Sequence, residues 1–400
     1  MKKRLLIINT VIGEGSTGKI VANIAEEHEA KGYEVKIAYG RDSGNKELVE
    51  KYGVRIGNNP DFYLHALYTR LTDNHGLGSK KATVKFLKWA EDYNPDILWL
   101  HNIHGYYINY ELLFEWIKQR PFMEVKWTLH DCWAFTGHCA FFTFAKCDKW
   151  KNGGCGNCPQ IDQYPMSLVD NSAMNYMRKR AAFTGVSDMT LITPSKWLKE
   201  TAEDSFLLGY NIKVVNNTIN EEVFKPTLIP KANSFKTKYG LQNKIMILGV
   251  ANVWERRKGL QDFIGLALIL SHAKYQIVLV GVSRKQKKLL DKTTNIISIE
   301  RTENVEELAR LYAEADVFVN PTYEDNYPTV NLEAERCGTP VICYDTGGCK
   351  ETLSRPDSCV IEKGVNQIVK ELKKRFESKD KVYSYAKKKD KQKDQKWGLV

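Results

Sequence analysis

The chain is 400 residues long and carries 59 Lys and Arg against 48 Asp and Glu, a formal net charge of +11 at pH 7. That length exceeds one ordinary core and predicts two domains, and no apolar run approaches a membrane span, which excludes an integral helical membrane protein. The basic excess leaves three classes of acidic partner: nucleic acid, an anionic membrane, or a phosphorylated substrate.

The N-terminus, Met1-Lys-Lys-Arg followed by apolar residues 5–8, imitates a secretion signal. Asn9 and Thr10 break the run and no small-residue cleavage site follows, so a first strand over 5–9 is expected. Nine cysteines without a signal peptide argue for reduced thiols or a metal, and for a cytoplasmic protein. Strand and helix then alternate: a helix over 18–31 closed by Gly32, a strand over 34–39, and a buried strand over 96–101 running into Asn102-Ile103-His104. A helix over 110–119 and a strand over 124–129 ending at His130-Asp131 follow, then strands over 190–194 and 212–215.

The Pro-, Lys- and Ser-containing stretch 225–235 reads as a linker. A second alternating series succeeds it: strands over 245–250, 276–282 and 296–300, helices over 260–270 and 305–315. Last comes a βαβ unit in 317–351, whose helix opens at Pro328, closes at Gly338, and leads into a strand over 341–344. The expected architecture is α/β. Residues 1–225 form one Rossmann-like domain with a Cys-rich insertion at 138–159, and 236–375 form a second. Residues 376–400 form a basic tail or helix. There Lys387, Lys388, Lys389, Lys391, Lys393 and Lys396, flanked by Tyr383, Tyr385 and Trp397, suit an anionic membrane surface or a solvated end.

In open α/β sheets ligands gather at the carboxyl ends of strands, which singles out several groups. The helix start at Pro328, Thr329 and Val330 presents unpaired N–H groups suited to phosphate. Glu333 lies beside the apolar stripe Val330, Ala334, Cys337, and a carboxylate there needs a donor: a sugar or ribose hydroxyl, a neighbouring backbone group, or Arg336. Arg256, Arg257 and Lys258 concentrate positive charge after the strand 245–250. His130 ends one strand; His101, Asn102 and His104 crowd the next, with His75 a weaker candidate. Gly13 to Lys19 fits a loose Walker A pattern, but Ile20 replaces the Ser or Thr that reaches magnesium, and the candidate strands end in Asn9, His101 and His130 rather than an acid. That loop, with Gly15 in it, still lets backbone N–H groups approach a ligand. Cys139, Cys147, Cys155 and Cys158 form Cys-x7-Cys-x7-Cys-x2-Cys, which suits a structural zinc, packed reduced thiols, or a disulfide pair.

The segment 317–351 resembles the donor-binding motif of family 4 (group 1) glycosyltransferases, whose Glu-x7-Glu signature precedes a Gly-Thr-Pro-Val strand start and a Gly-Gly-x-x-Glu turn. The second carboxylate falls on Glu333 and the first on Asp325, with Glu324 one position early; Gly347, Gly348 and Glu351 match the turn. Lys258-Gly259 fits the family's Lys-Gly, while Asn252 stands where the family carries Arg. The block from Trp127 to Cys139, with Cys155-Gly-Asn-Cys-Pro159, is similar to a bacterial exopolysaccharide subgroup that includes colanic-acid-type enzymes.

The resemblance, which runs from Leu5 to about Glu362, implies a GT-B fold: two Rossmann-like doubly wound domains facing across a cleft. It implies a retaining transfer, without catalytic metal, from a nucleotide-diphosphate sugar to a glycan or lipid-linked oligosaccharide acceptor. A donor phosphate oxygen takes the acceptor proton, and there is no nucleic-acid partner. Lys258 and the helix start would neutralise the diphosphate. Glu333 would bind ribose hydroxyls, Asp325 or Glu324 would orient the donor sugar, and His130 would contact it. Gly15, Arg257, Tyr327, Pro328, Thr329, Val330, Gly347, Gly348 and Glu351 complete the donor side; His101, Asn102 and His104 belong to the acceptor side. The protein would be cytoplasmic, on the inner face of the membrane. A non-catalytic polysaccharide- or membrane-binding scaffold of the same fold, or a P-loop enzyme using Gly13 to Lys19, are the alternatives.

Overall fold

The computed structural model describes residues 2–42, 44–227 and 234–377. The basic tail beyond residue 377 and the centre of the linker at 228–233 lie outside them. Two compact units divide the chain, Met1–Thr218 together with Glu324–Thr329, and Ile219–Tyr323 together with the residues from Val330 onward.

The first unit contains β1 (Arg4–Asn9), α1 (Gly15–Ala30), β2 (Glu34–Tyr39), α2 (Lys46–Tyr52), β3 (Gly53–Arg55), α3 (Asn59–Thr72), α4 (Lys80–Tyr93), β4 (Ile97–Leu100), α5 (Tyr110–Lys118), β5 (Glu124–Thr128), α6 (Ser172–Phe183), β6 (Met189–Thr193), α7 (Lys196–Glu203) and β7 (Asn211–Val214). The strands form one parallel sheet in the order β3-β2-β1-β4-β5-β6-β7, with Ile7 level with Ile37 on one side and Trp99 on the other. Leu5, Leu6, Ile7 and Ile8 are fully buried, as a strand covered by helices on both faces requires. Strand order reverses between β1 and β4, which makes their carboxyl ends the natural ligand position.

α1 begins at Gly15 and not at residue 18, so the Walker-like segment is largely absorbed into a helical turn. Gly13, at φ +71°, donates its N–H to the Gly18 carbonyl at 3.0 Å, and the loop closes on itself through that bond. Helices α2, α3 and α4 and strand β3 fill the stretch that periodicity left unassigned. The capping box of α3, Asn58 with Asp61, is the local signal that marks its start.

The second unit holds α8 (Phe235–Lys238), β8 (Ile245–Val250), α9 (Leu260–Ile269), β9 (Tyr275–Val280), α10 (Arg284–Thr293), β10 (Ile297–Ile299), α11 (Val305–Glu314), β11 (Val317–Asn320), α12 (Thr329–Arg336), β12 (Val341–Tyr344), β13 (Cys359–Ile361) and α13 (Val365–Phe376). Its parallel sheet runs β10-β9-β8-β11-β12-β13, with the same reversal between its first strand and the fourth. Among the described residues no helix is long and apolar enough to cross a membrane.

Candidate functional site

In the second unit the reversal lies between β8 and β11, and the loops leaving those strands are fastened together. Gly259 sits at φ +76°, where a Cβ would stand 2.2 Å from the Pro321 carbonyl oxygen. The Arg257 carbonyl accepts the Tyr323 N–H at 2.7 Å and the Thr322 hydroxyl at 3.2 Å. A third loop joins through Thr346, whose hydroxyl donates to the Tyr323 carbonyl at 2.7 Å just before Gly347 and Gly348. Lys258 is half-buried at this junction, and the Arg257 Nε lies 3.1 Å from Glu255.

α12 begins at Thr329, one residue after Pro328, so the proline precedes the helix instead of opening it. Asn320 at the end of β11 donates to Asn331 at 2.9 Å, and Asn331 donates to Thr352 at 2.8 Å, which fixes the helix against the strand ends. Glu333 finds its donor in the buried Tyr312 hydroxyl, at 3.0 Å. Arg336, the neighbouring cation, pairs with Glu221 at 2.5 Å. Tyr312 lies on α11, and nothing local to Glu333 announces it.

The segment Glu324–Thr329 groups with the first unit. Glu324 is buried there, and its Oε1 accepts the Phe144 N–H at 2.6 Å and the Thr143 hydroxyl at 3.2 Å. Asn326 donates to the His130 carbonyl at 3.1 Å and accepts the Ser195 hydroxyl at 2.5 Å. The Tyr327 carbonyl accepts from Asn217 at 3.4 Å. Asp325 stays half-buried, with its own Oδ1 accepting the Asn326 N–H at 3.0 Å.

At the carboxyl ends of β4 and β5 two of the histidines form a pair. His101 Nδ1 lies 3.0 Å from His130 Nε2, with the rings stacked. One nitrogen donates and the other accepts. Burial pushes the His130 pKa down to about 4, and burial, followed by the neighbouring His130, pushes His101 well below its ordinary value. His104 is gripped from both sides, its Nε2 3.1 Å from Asp131 and its Nδ1 3.0 Å from the Tyr164 hydroxyl. Burial opposes ionisation of Asp131, but the charge of His104, its hydrogen bond and the Trp133 N–H at 2.9 Å together hold its pKa below the usual value. Asn102 serves the scaffold through its backbone: its carbonyl accepts the Tyr107 hydroxyl at 2.7 Å. His75 accepts the Gly105 N–H at 3.3 Å and packs against Tyr106 and Trp133. Tyr164, 60 residues from His104, carried no signal in the sequence.

The neutral His130 sets an acid limit on stability. His65, whose Nε2 accepts the Gly76 and Gly78 N–H groups, is likewise held at about 4 by burial. An unfolded histidine takes a proton near pH 6.5 and the folded ones only near pH 4, so the unfolded chain binds more protons in that window. Stability is full above about pH 6.5 and falls as pH drops toward 4, by up to about 3 kcal/mol for each of these two groups. Urea midpoints measured from pH 7.5 to 4.5 should decline across this range; a flat profile would contradict the burial of these rings.

All nine cysteines are free thiols, so the disulfide pair is not formed. Cys139, Cys147, Cys155 and Cys158 line one small cavity of about 20 Å³ with His138. A larger cavity of about 440 Å³ opens between α3 and α4, lined by Leu64, Tyr68, Leu77, Lys80 and Lys81 among others. Beside it the outward face of α3 exposes Tyr63, Leu64, Leu67 and Leu71.

Residues 244–377 match the family described as glycosyl transferases group 1. The Escherichia coli (strain K12) protein named as a colanic acid biosynthesis glycosyl transferase, WcaC, is 23% identical over 91% of this chain and 89% of its own. Among solved structures, sucrose-phosphate synthase from Thermosynechococcus elongatus superimposes with a TM-score of 0.66 at 16% identity, covering 93% of this chain and 89% of that one. Anabaena Alr3699/HepE, solved in complex with UDP and glucose, gives 0.60 at 14% identity, with 92% and 88% covered.

Proposed function

We propose that this chain, a group 1 glycosyltransferase of GT-B fold, moves a sugar from a nucleotide-diphosphate sugar to a glycan or lipid-linked oligosaccharide in polysaccharide biosynthesis, retaining anomeric configuration without a catalytic metal. The observation that carries this reading is the junction at Arg257, Lys258 and Gly259. A lysine is held half-buried on the loop tied to the one that leads into the α12 N-terminus. An ammonium and a helix start are each suited to the charge that develops on a leaving diphosphate. In the transfer the bond from the anomeric carbon to the diphosphate breaks and a bond to the acceptor oxygen forms; the acceptor proton passes to a donor phosphate oxygen.

Glu333, with one oxygen accepting from Tyr312, binds ribose hydroxyls. Glu324 accepts the Phe144 N–H, which favours Asp325 as the residue that orients the donor sugar. His130, kept neutral by burial, offers hydrogen bonds to the donor sugar without a competing charge. A lipid-linked acceptor is supported by the exposed apolar face of α3 beside the cavity that Lys80 and Lys81 line: apolar side chains next to ammonium groups match a lipid diphosphate at an anionic membrane surface.

The test is release of nucleoside diphosphate from a panel of sugar nucleotides, with acceptors offered free and in anionic vesicles. One donor should be consumed, and faster with a vesicle-borne acceptor. Glycan binding without turnover of any donor would favour the scaffold alternative, and magnesium-dependent ATP hydrolysis the P-loop alternative.

A further inference from the structure

The cysteine loop contains a ligand that its spacing does not reveal. His138 is buried, and its Nδ1 is hydrogen-bonded to the equally buried carboxylate of Asp73. Asp73 is itself fixed: its Oδ2 accepts the Asn171 N–H at 2.9 Å, and it terminates α3 in the left-handed region at φ +58°. With Nδ1 donating to Asp73, the Nε2 lone pair is left unused, and that atom is buried without a hydrogen-bond partner. His138 lines the same small cavity as the four cysteines. A carboxylate behind a histidine whose far nitrogen faces thiols is the arrangement that orients a metal-binding imidazole.

The cysteines are not equivalent. The Cys139 and Cys158 thiols hydrogen-bond to each other, and Cys155 is the electrostatic neighbour of Cys139, Cys147 and Cys158. Cys155 Sγ also accepts the Gly137 N–H at 3.2 Å, an interaction that stabilises a thiolate. Gly137 is required for this approach, since a Cβ there would meet the Ser172 carbonyl at 2.1 Å and Cys155 Cβ at 2.8 Å. Charge agrees: a divalent ion with three thiolates and a neutral imidazole carries −1. Buried Lys179, whose Nζ donates to the Trp133 and Thr136 carbonyls at 2.7 and 3.0 Å, is within electrostatic reach of Cys139 and Cys155.

The geometry points to a structural site for one zinc-class divalent ion held by His138 Nε2, Cys139, Cys155 and Cys158, with Asp73 as the positioning residue and Cys147 outside the ligand set. Three cysteines and one histidine are an established tetrahedral zinc set. Among the described residues no three His, Cys, Asp or Glu side chains already stand around a common point at ligand distance. Coordination therefore has to draw the loop inward, with loss of the thiol protons, as metal-coupled folding does.

The test uses the full chain purified without a metal-affinity column. About one zinc per chain is expected. Cobalt-substituted protein should show the absorption of a mixed sulfur and nitrogen site, retained in Cys147→Ser and lost or converted to another type in His138→Gln. A folded, metal-free chain whose melting temperature is indifferent to chelator overturns the proposal. So does an all-sulfur cobalt spectrum in the unsubstituted chain, which decides the matter even where His138→Gln fails to fold. Loss of the ion in Cys147→Ser with retention in His138→Gln would return the site to four thiolates and overturn the assignment of His138.

Discussion

Gly259→Ala should lower stability by about 2–5 kcal/mol and weaken nucleoside diphosphate binding with it. Two costs add. The residue sits at φ +76°, where an L side chain is strained by about 1–2 kcal/mol. The new Cβ would also stand 2.2 Å from the Pro321 carbonyl oxygen and 3.0 Å from its carbon. Those are backbone atoms, which cannot swing aside, so overpacking adds about 1–3 kcal/mol. Relief requires the loop after β8 to part from the loop after β11, stretching the 2.7 Å bond from the Tyr323 N–H to the Arg257 carbonyl. Gly240 supplies the control: its φ is +65° and a Cβ there would meet nothing within 4 Å. Gly240→Ala should therefore show the conformational cost alone. Urea titration of both variants isolates the close approach, and equal losses in the two would refute it.

Lys258→Ala should lower turnover roughly 10- to 150-fold, the equivalent of about 1.5–3 kcal/mol for one charge-assisted hydrogen bond to the diphosphate. The side chain is half-buried and belongs to a one-turn 3-10 helix whose Lys258 N–H donates to the Glu255 carbonyl at 3.0 Å, so truncation beyond Cβ leaves the backbone bonds in place. Calorimetric titration with nucleoside diphosphate should show weakened binding in parallel with turnover, because the charge acts on the same phosphates in both. Full activity in a folded Lys258→Ala protein would remove the lysine from the diphosphate site, leaving Arg256 or Arg257 as the cations to examine next.

Strands buried on both faces of a parallel sheet must be continuous apolar runs, and that is why 245–250 and 341–344 were legible with their exact limits and most other strands to within a residue or two. The helices α5, α9 and α11 announced themselves the same way, through apolar spacing between turn residues. Residues 40–95 hid three helices because their apolar positions are partly exposed, as on α3. The strand-end positions of His130, Lys258 and the segment before α12 followed from alternation alone, since doubly wound sheets place loops there. What sequence could not decide is which group each side chain faces. Glu324 and Asp325 are chemically alike and adjacent. A backbone N–H from Phe144, 180 residues away, goes to Glu324. Glu333 needed a donor, and Tyr312 supplies it from another helix. His138 stands next to Cys139 at the start of the Cys-rich insertion. Asp73, 65 residues earlier, sets its tautomer and thereby its candidacy as a ligand. Periodicity reports burial, which each segment carries in its own composition. Hydrogen-bond partners come from chain crossings that no single segment encodes, and only the folded structure brings them together.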